Sequence, residues 1–215
     1  MEPVIFELRK ESDGLFSYDA RISRDEASAG DYLDAINGFQ ERFVAPCDGC
    51  ANCCWERVPL TAPDARRYAA ELYGPAPDTG DRLSAAKPIG RFIAEYGQVY
   101  EQGDWIDIQL RRRPDGSCVF LDQAARRCRL HHLRPLVCQS YICLPSSRRA
   151  AALRQKLVNE GENELVWLWL LSLPEAAPAA LASLYRGGAF EGKSAFSQVS
   201  LREAAGPGLW QKLRR

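Results

Sequence analysis

Eight cysteines are the residues of this chain whose type and spacing could do chemistry, and they fall into two groups. The first is Cys47, Cys50, Cys53 and Cys54, a C-x2-C-x2-C-C run. The second is Cys118, Cys128, Cys138 and Cys143, with nine residues between each of the first three and four before the last. Four plus four is the number that two four-thiolate sites require. Two residues between thiolates let a tight turn aim both sulfurs at one centre, and Gly49 supplies the backbone freedom for it. The adjacent pair Cys53-Cys54 is harder to place. Neighbouring Cα atoms lie about 3.8 Å apart and their side chains diverge in extended chain, so the two would serve different centres, or one would not be a ligand. The plain alternative for Cys143, and for one of that pair, is a buried small hydrophobe.

A C-x2-C-x2-C run is also how bacterial ferredoxins wrap three corners of a [4Fe–4S] cluster, the fourth thiolate arriving from a distant segment. Here about sixty residues separate the two groups. Closing that loop is the long-range link that metal ligation would stabilise. Disulfides would be the ordinary reading of many cysteines, but the compartment argues against them. The N-terminus lacks a basic region followed by an apolar stretch, so no signal peptide is expected. The longest apolar run, Leu165 to Leu173, is too short to span a bilayer. A cytoplasmic protein keeps its thiols reduced, and metal binding becomes the leading reading. Lysine plus arginine balances aspartate plus glutamate at 28 each, so no basic excess points to nucleic acid. The run Arg111-Arg112-Arg113 reads as a solvated strand end.

The elements that must position these cysteines predict an α+β fold, predominantly α-helical with a small antiparallel β-meander, organised around cysteine-ligated metal. Val4–Leu8 and Leu15–Tyr18 bracket Ser12-Asp13-Gly14 as a hairpin. Ser23 with Glu26 marks a helix start, and Tyr32, Ile36, Phe39 and Phe43 recur at helical spacing toward Pro46, which delivers the chain into Cys47. Thr61 with Asp64, and Pro63 in the first turn, start a second helix running to about Tyr73. Pro88 to Tyr96 reads as a third. Trp105 to Arg112 alternates as a half-buried strand, with Asp107, Gln109 and Arg111 on the outer face. Pro114-Asp115-Gly116 turns it into Cys118–Leu121, and a further turn leads to Cys128–Leu130. Arg148 to Asn159 and Glu162 to Leu171 read as two helices separated by Gly161, and Ser172 with Glu175 starts another through Tyr185. Trp167 and Trp169 read as packing surface, and the tail from Gly187 is weakly patterned. The expected units are residues 1–46, a hairpin and helix; 47–145, the cysteine-rich metal-binding domain; and 146–215, a helical segment packing on it.

The segments CDGCANCC and CVFLDQAARRCRLHHLRPLVCQSYIC resemble the CxxCxxCC (YkgJ-like) family, a domain described as zinc- or iron-chelating, whose members share C-x-F-L, C-x-I-[YH] and R-P-x-x-C. The flagellin lysine N-methylase proteins are similar to this family and are thought to carry an iron–sulfur cluster. The resemblance covers about residues 47–143. It implies Cys47, Cys50, Cys53, Cys54, Cys118, Cys128 and Cys138 as the ligand set. Leu130-His131 stands where the family often has Ile-Tyr. Cys143 is additional, which raises the prospect of a second centre.

The first functional expectation is an iron–sulfur protein, [4Fe–4S] with one or two clusters, in electron transfer with a redox partner or client protein. Neither nucleic acid nor membrane is an expected partner. A zinc-stabilised interaction module is the alternative. The third is a lysine N-methylase-like enzyme, although no glycine-rich loop for S-adenosylmethionine is visible. His131 and His132 read as one packed and one exposed side chain, with Cys128-x2-His131 admitting one as a ligand. Arg134 reads as forming a buried ion pair or one just outside the ligand sulfurs. No Ser–His–Asp set, H-E-x-x-H motif or phosphate loop is present, and no catalytic residue can be singled out.

Overall fold

The computed structural model describes residues 2–44, 49–75, 82–103, 105–174 and 187–214. Its fold is α+β, about half helical with small antiparallel sheets. Strands β1 (Val4–Lys10) and β2 (Phe16–Ile22) pair antiparallel from Val4 opposite Ile22 to Lys10 opposite Phe16. Helix α1 (Ala29–Phe43) follows. Its cap is Ser28, not Ser23: Ser28 Oγ accepts from Asp31 N, and Asp31 Oδ2 accepts from Ser28 N at 2.8 Å. Ser23 is used elsewhere, because its N–H extends the hairpin to Pro3 O at 2.8 Å. Helix α2 (Ala62–Tyr73) begins at the expected Thr61/Asp64 capping box with Pro63 in its first turn. Helix α3 (Arg82–Tyr96) starts six residues before the expected Pro88 and carries that proline internally.

Gly97–Gln102 forms β3, which the sequence reading missed, and it pairs antiparallel with β4 (Trp105–Leu110). On its other edge β4 receives the chain after the first cysteine group, with Leu60 N donating to Ile108 O and Leu110 N to Val58 O. Asp107 and Gln109 are each only 2% exposed instead of facing solvent, with Arg57 of that edge segment bonding both and Glu162 of the following long helix against Asp107. The expected meander is instead a set of separate two-stranded ladders. β4 reaches the second cysteine group through an isolated bridge, Arg112 opposite Cys118. β5 (Leu121–Asp122) and β6 (Arg127–Cys128) then make a ladder of two residue pairs. A one-turn helix, α4 (Leu136–Gln139), completes this region.

Helix α5 (Arg148–Ser172) runs unbroken through Gly161 and would be roughly 37 Å long at 1.5 Å per residue. A Cβ on Gly161 would lie 2.6 Å from Thr61 Cβ and 3.1 Å from Phe190, so glycine serves close approach here and does not end a helix. Below it, Leu153 and Leu157 join β1, β2, α1 and the C-terminal helix α6 (Leu201–Leu213) in one apolar core. Above it, Leu165 and Leu168 join α2, α3 and β4 in a second core that includes Cys118 and Phe120. Trp167 is buried and Trp169 packs against the second core, as expected. The helix expected from Ser172 to Tyr185 lies largely outside the described residues. Helix α6, unforeseen in the tail, kinks at Gly206, whose φ is 69°.

Candidate metal centre

The first cysteine group is built on two left-handed residues. Gly49 has φ 71° and Ala51 φ 59°, the latter a conformation that costs a residue with a Cβ roughly 1–2 kcal/mol. Asn52–Trp55 then form a 3₁₀ turn, with Cys54 N donating to Ala51 O at 2.9 Å. Because Cys53 and Cys54 sit in this turn and not in extended chain, their side chains do not diverge to separate sites. Both line one cavity, and the Cys54 thiol hydrogen-bonds Cys53. Cys47 lies outside the described residues.

The second group is tied directly to the first. Cys118 N donates to Cys54 O at 2.7 Å. Arg112 and Arg113, half-buried, form this junction, while Arg111 is exposed as expected of a solvated strand end. Arg112 Nε donates to Gly116 O at 2.7 Å and its Nη2 bonds Trp55 O. Arg113 Nη2 donates to Val119 O at 3.0 Å, and Arg111 Nη2 to Ala94 O at 2.7 Å. Cys128 arrives on β6, and Cys138 on α4. Asp64 fixes that short helix: its Oδ1 accepts from Leu136 N at 3.1 Å while Oδ2 accepts from Thr61 Oγ1 at 2.7 Å. One buried carboxylate thus caps α2 and holds the Cys138 turn against it. From the other side, α1 contributes Gln40 Nε2 to Tyr141 O at 2.8 Å and Asn37 Nδ2 to Gln139 Oε1 at 2.9 Å.

Cys50, Cys53, Cys54, Cys118, Cys128, Cys138 and Cys143 all line a single cavity of about 150 Å³. All seven are free thiols, so the disulfide reading fails for them. Cys118 is buried and Cys143 exposed at the mouth, the other five lying between. Val58, Leu110 and Tyr68 supply apolar wall, while Arg126, Arg127, Arg134 and His131 line the rim. Among the described residues no carboxylate does.

The electrostatics follow from crowding thiols in low dielectric. The hydrogen bond from Cys54 draws Cys53 down to about 7 against the opposing effect of burial, with the Arg134 guanidinium helping. Burial pushes Cys118 up to about 11, and burial together with neighbouring thiols holds Cys128 and Cys138 above their ordinary value. Without a cation, burial and the neighbouring thiols disfavour a thiolate at Cys118, Cys128 and Cys138. A metal would reverse that balance by replacing thiol protons, the usual behaviour of thiolate sites. The donor set therefore fits a thiophilic metal. Among the described residues, however, no three His, Cys, Asp or Glu side chains close around a point as a single ion would need.

At the rim the histidine expectation is corrected, and the buried form of the ion pair expected of Arg134 is not found among the described residues. His131 and His132 are both exposed, the first at the rim and the second 3.5 Å from Glu71. Arg134 has no carboxylate partner among the described residues. It donates instead to Asn37 Oδ1 at 3.5 Å, its charge acting on Cys53 and Cys128. Sequence reasoning missed Tyr68 and Asp64 as parts of this site. Asp64 showed only as a helix cap, and Tyr68 fell on an apolar helical face where any core aromatic would.

The family model of the CxxCxxCC family, described as a putative zinc- or iron-chelating domain, matches residues 46–159, more than half of the chain. The chain belongs to this family. Comparisons with curated proteins and with solved structures give no match. The CxxCxxCC span takes in all eight cysteines and ends on α5 just before Gly161. Its description supports metal binding by this domain. Among the described residues no helix is long and apolar enough to cross a membrane.

Proposed function

We propose that the cavity holds one iron–sulfur cluster of the [4Fe–4S] type and that the protein exchanges electrons through it. The observation that carries this reading is that seven cysteines from both groups line one cavity of about 150 Å³. A tetrahedral zinc ion with bonds of about 2.3 Å would draw four sulfurs to within roughly 4 Å of one another. The cavity's 150 Å³ is about ten times the roughly 15 Å³ that one water requires by the same measure. A polynuclear group matches that size better than a lone ion. That all seven described cysteines line one cavity also favours a single centre.

The rim agrees with this reading. An all-thiolate cluster is anionic, and the chain, though neutral overall, places Arg126, Arg127 and Arg134 at the mouth. A group bound here would supply one-electron exchange, and the exposed Cys143 side of the cavity would give a redox partner short access to it. Cys53, with its lowered pKa, is the thiol readiest to take the first metal bond.

The test is quantification of iron, zinc and acid-labile sulfide in protein purified without oxygen, with EPR of the reduced form. About four irons and four sulfides per chain and a reducible cluster are expected. Stoichiometric zinc without sulfide would replace this reading with that of a zinc-stabilised interaction module.

A further inference from the structure

Tyr68 carries a polar atom with nothing to bond. It is 0% exposed, and its Oη has no hydrogen-bond partner among the described residues, the cysteine sulfurs included. Such an orphaned buried donor costs about 1–3 kcal/mol. The ring cannot turn away to find water, because it stacks on Phe92 and on Phe120, each at 5.2 Å between centroids. Its two stacking partners are phenylalanines, and packing alone would be served as well by a third. Yet Tyr68 lines the wall of the cysteine cavity together with Cys54, Cys118, Cys128 and Cys138. With no acceptor among the described residues, the hydroxyl at this wall is placed to bond what the cavity holds.

We propose that the Tyr68 hydroxyl donates a hydrogen bond to a sulfide of the bound cluster and thereby raises its reduction potential. The inference rests on the iron–sulfur reading and deepens it. A lone ion held by cysteines brings no acceptor beyond the thiolates themselves, whereas a cluster brings inorganic sulfides. A donor aimed at cluster sulfur stabilises the reduced, more negative state, and hydrogen bonds to the sulfurs are among the determinants of cluster potential.

The test compares anaerobically reconstituted wild type and Tyr68→Phe by redox titration followed by EPR, alongside thermal unfolding of both metal-free proteins. Tyr68→Phe should load iron and sulfide to the wild-type level, titrate at a more negative potential, and be at least as stable as wild type without metal. A merely structural hydroxyl would instead lower metal-free stability and leave the potential unmoved. Equal potentials in the two loaded proteins would overturn the inference and leave the cluster reading standing. Wild type that carries zinc and no sulfide would overturn both. Should Tyr68→Phe not fold, 3-fluorotyrosine at position 68 keeps the shape and strengthens the donor. Its potential should then move positive, and an unchanged value would overturn the inference.

Discussion

The two cores that share helix α5 are built on different principles. The core below Gly161 is hydrocarbon with its charges satisfied. Tyr32, Ile36, Leu153 and Leu157 fill it, and Asp19 at its edge accepts from Arg149 Nε at 2.8 Å and Nη2 at 2.7 Å. The core above Gly161 leaves work undone. It contains half-buried thiols, the Tyr68 hydroxyl without a partner among the described residues, and carboxyls pushed up by burial, Asp64 to about 6 and Glu162 to about 8. A core whose polar groups are unsatisfied in the bare chain is one that a ligand is meant to complete.

Removing metal is the strongest way to expose this difference. Stripping the reconstituted protein with a chelator under reducing conditions should cost the upper core at least about 2.7 kcal/mol, the linkage expected where metal stands a hundredfold above its Kd. Hydrogen exchange should then show α2, α3 and β4 losing protection while α1, the β1–β2 hairpin and α6 keep theirs. Uniform loss in both cores would break the distinction.

Asp64→Ala probes the same contrast from inside. It removes the α2 cap, about 1 kcal/mol, and orphans the buried Leu136 N–H at about 1–3 kcal/mol, so a loss near 3 kcal/mol is expected. Because Leu136 begins the turn that carries Cys138, metal loading should fall as well. Denaturant titration with parallel iron analysis checks both. A smaller effect, about 1–3 kcal/mol of overpacking, is expected for Gly161→Ala, whose methyl would meet Thr61 and Phe190. That substitution sits where α5 passes from one core to the other, so exchange should quicken on both sides of it.

The same contrast explains what could be read from the residues alone. The lower core's hairpin announced itself through apolar segments bracketing a turn, α1 through helical spacing, and α2 through Thr61, Pro63 and Asp64. The cysteine spacing also foretold that two distant groups would meet. The misses have physical causes. Gly161 looked like a break because its role is contact with Thr61 and Phe190, both remote in sequence. β3 was hidden because its pairing with β4, not its own pattern, makes it a strand. Asp107 and Gln109 alternated as if exposed, since nothing local foretells that Val58 and Leu60 would cover the second edge of β4. Tyr68 is illegible for a different reason: no described residue partners its hydroxyl, so nothing in the sequence pattern marks it.

The finest test of the comparison is pH, because the two cores should respond with opposite sign. For Asp19, burial alone would raise the pKa, but the bonds from Arg149, Ser147 and Ala20 N hold it below its ordinary 3.8. Its stabilisation is present above that value and lost as acid protonates it in the fold. Glu162 goes the other way. Burial, then a hydrogen bond with Asp107, lifts it from 4.5 to about 8, so the folded state holds a proton that the unfolded chain has released. Between those values stability falls as pH rises, and it levels off above about 8. The partner, Asp107, is a buried carboxyl whose Oδ1 has no donor among the described residues. Since Glu162 is partly exposed, solvent screening should hold the effect to the order of 1 kcal/mol. Glu162→Gln replaces that proton with an amide N–H and keeps an oxygen for Ile108 N, which now donates to Glu162 Oε1 at 2.9 Å. Denaturant midpoints from pH 4.5 to 9 should therefore decline in wild type and stay flatter in the variant. Parallel profiles for the two proteins would show that the carboxyl pair holds no proton and that the upper core is less incomplete than its geometry implies.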